Sequence, residues 1–128
     1  MLTAGIGCRR GVGEAAVVAA IRAALAHFDA DESRLLRLAT GASKRDEPAI
    51  REAGRRLGVP LTLVEAPALR AAEARILTRS ARSRAAAGVG SLSEAAALAA
   101  AGPDAMLLGP RLALGGVTCA LAIAGGAP

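Results

Sequence analysis

Residues 2–28 read LTAGIGCRRGVGEAAVVAAIRAALAHF, and this stretch determines the fold class. The apolar run Leu2–Cys8 predicts a first strand that leads into glycines. Residues 14–28 predict a helix, because their large apolar residues recur at spacings of three and four and form one stripe. The members of that stripe are Val18, Ile21, Leu25 and Phe28. A strand that passes through a glycine turn into a helix is typical of α/β domains.

The alternation of strands and helices continues along the chain. Further strands are predicted at residues 35–40, Leu61–Val64, 105–108 and Val117–Ile123. Further helices are predicted from residue 46 to Gly58, at residues 66–75, and from a cap at Ser91 or Ser93 to about Ala101. Residues 76–87 carry no clear signal. We therefore expect one domain over residues 1–128, a three-layer α/β/α sandwich with a mixed, mainly parallel sheet of about five strands.

Composition limits the classes of function. The chain is 53% hydrophobic and has a single aromatic residue, so it lacks stacking platforms for bases. Its net charge is +5, and all its basic residues except Lys44 are arginines, which indicates an anionic partner. The two cysteines form no CxxC pair and no metal-ligand cluster is visible, so we expect no metal and no cofactor. No signal peptide or membrane span is apparent, and we expect a cytoplasmic protein.

The glycine turn of residues 7–13 admits two interpretations. Its backbone N–H groups could bind an anion, or it could be a tight turn with Arg9 and Arg10 in solvent. The spacing of Gly7, Gly11 and Gly13 fits the GxxxGxG of short-chain dehydrogenases. Those enzymes need a catalytic tyrosine, and this chain has none, so nucleotide-dependent redox chemistry is disfavoured.

Cys8 lies in the same turn. The dipole of the following helix and the neighbouring arginines predict a lowered pKa for its thiol. The only histidine, His27, is expected to lie far away, which argues against cysteine catalysis. Cys119, in an apolar strand, is predicted to be a core residue.

Two other segments carry candidate site residues, each with a structural alternative. Lys44 could bind an anion and Glu47 could act as a general base, or Asp46 and Glu47 could simply complement the dipole at a helix start. Ser91 and Glu94 are predicted to form a capping box, preceded by glycines that could form a second anion notch. Because ligands of open α/β sheets bind beyond the carboxyl ends of the strands, residues 7–13, 40–47 and 109–116 should meet at one edge.

Four segments in this order resemble the CobE/CbiG C-terminal family of cobalamin biosynthesis: residues 5–11, 44–48, 88–98 and 116–122. The resemblance spans residues 5–124 and implies an α/β/α sandwich with an acidic precorrin-type tetrapyrrole as ligand. CbiG proteins carry additional N-terminal domains, so this chain is more similar to the stand-alone CobE members of the aerobic pathway. It departs mildly from the family at Leu92 and Ser93, and it has Arg111 where relatives often have lysine.

Together, the motifs and the resemblance predict a cleft that sequesters or delivers a precorrin. The expected ligand-binding residues are Gly7, Cys8, Arg9, Arg10, Gly11, Thr40, Lys44, Asp46, Gly90, Ser91, Glu94, Arg111 and Thr118. The alternative is a hydrolase that opens the lactone of a precorrin-5A-type intermediate, with Glu47 as its catalytic base. Other enzymes of the pathway are a second class of expected partner. Nucleic-acid binding through residues 70–84 is disfavoured, because aromatics are lacking and Glu73 interrupts the arginines.

Overall fold

The computed structural model describes residues 1–125, and these contain a six-stranded sheet. The strands are β1 (Leu2–Cys8), β2 (Leu35–Gly41), β3 (Leu61–Val64), β4 (Met106–Leu107), β5 (Leu112–Leu114) and β6 (Val117–Ile123). Their spatial order is β3-β2-β1-β6-β4, and β5 also pairs with β6. The strand absent from the sequence prediction is β5, which lies within the expected loop of residues 109–116.

Strand direction makes the sheet mixed. Strands β1, β2 and β3 are parallel neighbours. Strand β6 pairs antiparallel with β1, β4 and β5. Five strands therefore run in one direction and only β6 of the described strands is reversed, which confirms the predicted mixed, mainly parallel sheet.

Five α-helices connect the strands within residues 1–125. They are α1 (Glu14–His27), α2 (Pro48–Leu57), α3 (Ala66–Ala72), α4 (Ala81–Ala87) and α5 (Leu92–Ala101). The end of α2 follows the predicted signal, because Gly58 adopts a left-handed conformation with φ of 74°. Residues 66–75, predicted as one helix, form α3 followed by a 3₁₀ turn at Glu73–Arg75. Within this part of the chain, no helix is long and apolar enough to cross a membrane.

The helices cover both faces of the sheet and confirm the three-layer architecture. Helices α1 and α2 pack on one face, where β1 contributes Leu2, Ala4 and Ile6 to the core. Helices α3 and α5 pack on the other face, in a second core cluster. Alternate residues of a strand point to opposite faces, so β1 contacts the helices on both faces of the sheet.

Helix α5 lies unusually close to β1. A Cβ atom added at Gly5 would lie 1.9 Å from the Ser93 carbonyl oxygen and 2.7 Å from the Ala97 nitrogen. Only a glycine leaves room for helix backbone at this distance. The alanines of α5 allow the same approach from the other side, and residues 92–98 are buried throughout. This contact fixes the first half of α5 against the middle of β1.

Candidate functional site

A cleft of about 700 Å³ lies at the edge of the sheet where β1 ends and β6 begins. This volume is within the range of roughly 300–1,000 Å³ typical of small-molecule sites. Its walls come from separate segments: residues 7–10, Lys44, α4 with its N-cap Ser80, Leu92, Arg111 and residues 113–118. The structure thus brings parts of the three segments predicted to share this edge into one concave surface.

The cleft is strongly basic. Five cationic side chains line it, and no described lining residue is acidic. Four of the five were predicted as binding residues from the sequence: Arg9, Arg10, Lys44 and Arg111. The fifth, Arg82, was missed, because it lies on α4 in the stretch whose structure the sequence did not indicate. The arginine-rich composition of that stretch was the signal that could have pointed to it.

Lys44 lines the cleft and is held in place by a hydrogen bond to β1. Its Nζ donates a hydrogen bond of 2.9 Å to the Cys8 carbonyl oxygen, which ties the segment after β2 to the end of β1. The adjacent Arg45 lines a different, smaller cleft of about 380 Å³ and forms an ion pair of 3.7 Å with Glu65. Of these two neighbouring cations, only Lys44 faces the larger cleft.

The β5–β6 hairpin supplies another wall. Gly115 and Gly116 have φ angles of 60° and 82°, as the two central residues of a type I′ turn require. The Gly116 carbonyl oxygen accepts a hydrogen bond of 2.9 Å from the Arg9 backbone nitrogen. This bond joins the hairpin to the glycine turn and holds the arginine segment at the rim.

Thr118 and Gly7 face each other across β6 and β1. The Thr118 hydroxyl donates a hydrogen bond of 3.3 Å to the Gly7 carbonyl oxygen. A Cβ atom at Gly7 would lie only 2.7 Å from that hydroxyl, so a glycine is needed here to accommodate the threonine. Both residues line the cleft, as predicted from the sequence.

The predicted capping box at the start of α5 is half correct. The Ser91 hydroxyl accepts a hydrogen bond of 3.4 Å from the Glu94 backbone nitrogen, as expected of an N-cap. The Glu94 part of the prediction was wrong. Its carboxylate accepts hydrogen bonds from the Leu77 and Thr78 backbone nitrogens, the Thr78 hydroxyl and the Arg111 backbone nitrogen. These donors come from loops packed over the helix start, and they occupy the carboxylate in place of the helix's own first turn.

Several predicted binding residues lie outside the lining of the cleft. They are Gly11, Thr40, Asp46, Gly90, Ser91 and Glu94, together with the proposed base Glu47. Thr40 is fully buried, and its hydroxyl donates a hydrogen bond of 2.7 Å to the Ile6 carbonyl oxygen. Asp46 is exposed. A direct role of these residues in ligand binding stays a prediction.

The candidate base and the second glycine notch already have partners within the protein. The Glu47 carboxylate accepts a hydrogen bond of 3.3 Å from the Gly11 backbone nitrogen. The Gly90 backbone nitrogen donates one of 3.2 Å to Glu73. The notch at residues 88–90 is therefore occupied by a carboxylate of the chain itself.

Cys8 does not have the activated thiol that the sequence indicated. Burial raises the pKa of the Cys8 thiol above its usual value, Lys44 lowers it by a smaller amount, and Glu47 raises it. The prediction of a lowered pKa was wrong, because the side chain packs against the core on the α1 side of β1. The pKa of the fully buried Cys119 is raised to about 12, which confirms Cys119 as a core residue.

Comparisons with known proteins identify the relatives of this chain. A family model described as "Cobalamin synthesis G C-terminus" matches residues 2–122. The crystal structure of CobE, a protein from the cobalamin (vitamin B12) biosynthetic pathway, superposes with a TM-score of 0.90 at 36% identity. This alignment covers 95% of this chain and 89% of CobE. No match was found among the curated proteins.

Two further solved structures are similar. Cobalamin biosynthesis protein chiG from Agrobacterium tumefaciens str. C58 has a TM-score of 0.79 at 40% identity, over 98% of this chain and 100% of that chain. A protein described as a cobalamin biosynthesis protein G homolog from Sulfolobus solfataricus has a TM-score of 0.69 at 19% identity. The match covers 98% of this chain and 37% of that longer one, and it shows the shared fold.

Proposed function

This chain belongs to the CobE/CbiG C-terminal family of cobalamin biosynthesis proteins, and we propose that its basic cleft binds a precorrin-type tetrapyrrole intermediate. In this proposal the protein sequesters or delivers the intermediate in the aerobic pathway, without transforming it. The observation that carries the proposal is the charge of the cleft: five cations and no carboxylate among its described lining residues.

The chemistry of the cleft matches this class of ligand. Precorrins carry acetate and propionate groups around a large, partly apolar ring. Arginine side chains bind carboxylates through two parallel hydrogen bonds, and the cleft presents Arg9, Arg10, Arg82 and Arg111. Exposed apolar lining residues such as Ala86 and Leu114 provide surface for the ring. Because each exposed ion pair contributes only about 1 kcal/mol or less, binding requires several of them together.

A stable porphyrin provides the test. Uroporphyrin carries eight carboxylates on a macrocycle, and its visible absorption reports binding to the purified protein. We expect the double variant Arg9→Gln/Arg10→Gln to weaken this binding about tenfold or more, because two charge-assisted contacts of about 1 kcal/mol each are lost.

The matched control removes two exposed positive charges from outside the cleft. Arg34 precedes β2 and Arg55 lies in the last turn of α2, and neither lines the cleft. Arg34→Gln/Arg55→Gln should bind uroporphyrin within about twofold of the unmodified protein, since distant exposed charges are screened by salt. Equal losses in the two double variants would assign the binding to net charge and would overturn the proposed site.

A second experiment separates binding from catalysis. The protein is co-expressed with the enzymes of the aerobic pathway, purified, and its visible spectrum is recorded. A coloured preparation that releases an unchanged tetrapyrrole supports the proposal, and a colourless one contradicts it. Release of acetaldehyde, lost in Glu47→Gln, would instead identify the lactone hydrolase.

A further inference from the structure

Glu94 is a buried carboxylate that does not line the cleft, although the sequence predicted it as a binding residue. The side chain is fully buried in the first turn of α5. Each oxygen accepts two hydrogen bonds. One oxygen accepts from the backbone nitrogens of Leu77 and Thr78 at 2.7 and 2.8 Å. The other accepts from the Thr78 hydroxyl at 2.7 Å and from the Arg111 backbone nitrogen at 2.9 Å.

These four donors come from two segments, each of which leads into a different wall of the cleft. Leu77 and Thr78 precede α4, which brings Ser80 and Arg82 to one wall. Arg111 leads into β5 and the hairpin of the other wall. A single carboxylate therefore holds both segments by their backbones.

The Arg111 side chain is held at the start of α5, close to Glu94. Its Nη1 donates a hydrogen bond of 3.4 Å to the Ser91 hydroxyl, which is the N-cap of the helix that carries Glu94. The backbone of Arg111 is held by Glu94 and its guanidinium by Ser91. This cation is thus oriented before a ligand arrives, which lowers the entropy lost on binding.

We propose that Glu94 is a positioning residue, which sets the place of Arg111 and of the α4 wall and thereby the affinity of the cleft for an acidic tetrapyrrole. The inference rests on the proposed function for the ligand, but its structural part does not depend on it. An ionised carboxylate has about four acceptor positions, which matches the four donors. A glutamine keeps one acceptor oxygen, and its NH2 group can donate to the Thr78 hydroxyl but leaves the Arg111 N–H facing another donor.

The structural part is tested without a ligand, by amide hydrogen exchange. In the unmodified protein we expect the backbone amides of Leu77, Thr78 and Arg111 to be protected. In Glu94→Gln the amide oxygen stays with the Leu77 and Thr78 nitrogens, which can only donate, so the Arg111 amide loses its acceptor and should exchange at least about tenfold faster. An unprotected Arg111 amide in the unmodified protein would overturn the proposal even if the variant does not fold.

A matched control removes only one of the four hydrogen-bond donors to the Glu94 carboxylate. Thr78→Val removes the hydroxyl donor and leaves the Arg111 bond in place. We expect its Arg111 amide to remain protected. Loss of that protection in Thr78→Val as well would show general loosening of the region, and would count against a specific link from Glu94 to Arg111.

The functional part is tested by a double-mutant cycle with uroporphyrin as the probe. We expect Arg111→Gln to weaken binding at least about threefold less in the Glu94→Gln background than in the unmodified protein, because Arg111 is already misplaced there. Arg9→Gln should cause the same loss in both backgrounds. Additive losses for Arg111 would overturn the positioning role. If the unmodified protein does not bind uroporphyrin at all, the proposed function fails, whereas the exchange result still decides the structural link.

Discussion

At the scale of single residues, the two cysteines show how burial governs ionisation in this sheet. Cys119 has no exposed surface, and burial raises the pKa of its thiol to about 12. Cys8 is half-buried at the end of β1, and burial again raises its pKa more than Lys44 lowers it. Neither thiol is poised for nucleophilic chemistry at neutral pH, since the thiolate is the reactive form.

The raised pKa of Cys119 predicts a pH dependence of stability. In the unfolded chain the thiol ionises near its ordinary value of 9.0, but in the folded protein only near about 12. Between these values the folded state binds more protons than the unfolded chain does. The contribution of Cys119 to the free energy of unfolding is therefore complete below pH 9 and is lost as the pH rises, by at most about 1.4 kcal/mol per pH unit. Urea unfolding from about pH 8 to pH 11 should therefore show a steeper loss for the unmodified protein than for Cys119→Ala. Parallel losses would contradict this account.

The environment of Cys8 follows from its position in β1 and not from the residues beside it in sequence. The glycines and arginines beside it in sequence indicated an activated thiol. Its position in the strand indicated the opposite, because Cys8 has the same parity as Leu2, Ala4 and Ile6, which enter the core on the α1 side. The alternation of core-facing and opposite-facing residues along β1 could be read from the sequence. It predicted the environment of the Cys8 side chain better than the adjacent glycines and arginines did.

At the scale of secondary-structure elements, the contact of α5 with β1 determines where the cleft forms. Gly5→Ala would place a methyl group against the backbone of α5, 1.9 Å from the Ser93 carbonyl oxygen. Backbone at this distance must move, so we expect the free energy of unfolding to fall by about 3 kcal/mol, at the upper end of overpacking effects. Denaturant unfolding measures the change.

The control for this prediction is Gly13→Ala. Gly13 is the N-cap of α1, with φ of −89°, and an added Cβ would meet no atom within 4 Å. Its replacement should cost no more than about 1 kcal/mol, the usual effect of a less favourable N-cap. A loss at Gly5 no larger than that at Gly13 would show that α5 is not packed on β1 as described.

Strands and helices could be predicted where their apolar residues form a clear pattern in the sequence. Strands β1, β3 and β6 were predicted with their observed bounds, because each is a compact apolar run. Strand β5 has only three residues and is followed directly by two glycines, so it is too short to show a period. Helix α4 was missed because none of its residues is buried, so it carries no apolar stripe.

At the scale of the whole molecule, the cleft is assembled from segments distant in the sequence. The rule that ligands bind beyond the carboxyl ends of strands correctly predicted that Arg9, Lys44 and Arg111 lie close together. It could not place Arg82 or Glu94. The position of Arg82 depends on the path of α4, and the contacts of Glu94 depend on loops that are far apart in sequence.

The excess of positive charge in the cleft predicts a dependence on salt. Uroporphyrin binding by the unmodified protein should weaken as NaCl rises from about 50 to about 300 mM, because exposed ion pairs are screened. In Arg9→Gln/Arg10→Gln the same titration should give a flatter dependence, since fewer charges remain to be screened. An equal slope for the two proteins would place the ligand away from these arginines.

The reversed strand β6 lies in the middle of the sheet, between β1 and β4. All seven residues of β1, from the start of the chain, pair with β6, near its other end. A nascent chain therefore leaves the ribosome with one side of β1 unpaired until residues 117–123 have emerged. Until then this apolar strand has a free edge that can pair with other chains. Pairing between strands that are far apart in sequence is slow. Completion of the sheet therefore waits for the last strand to be synthesised.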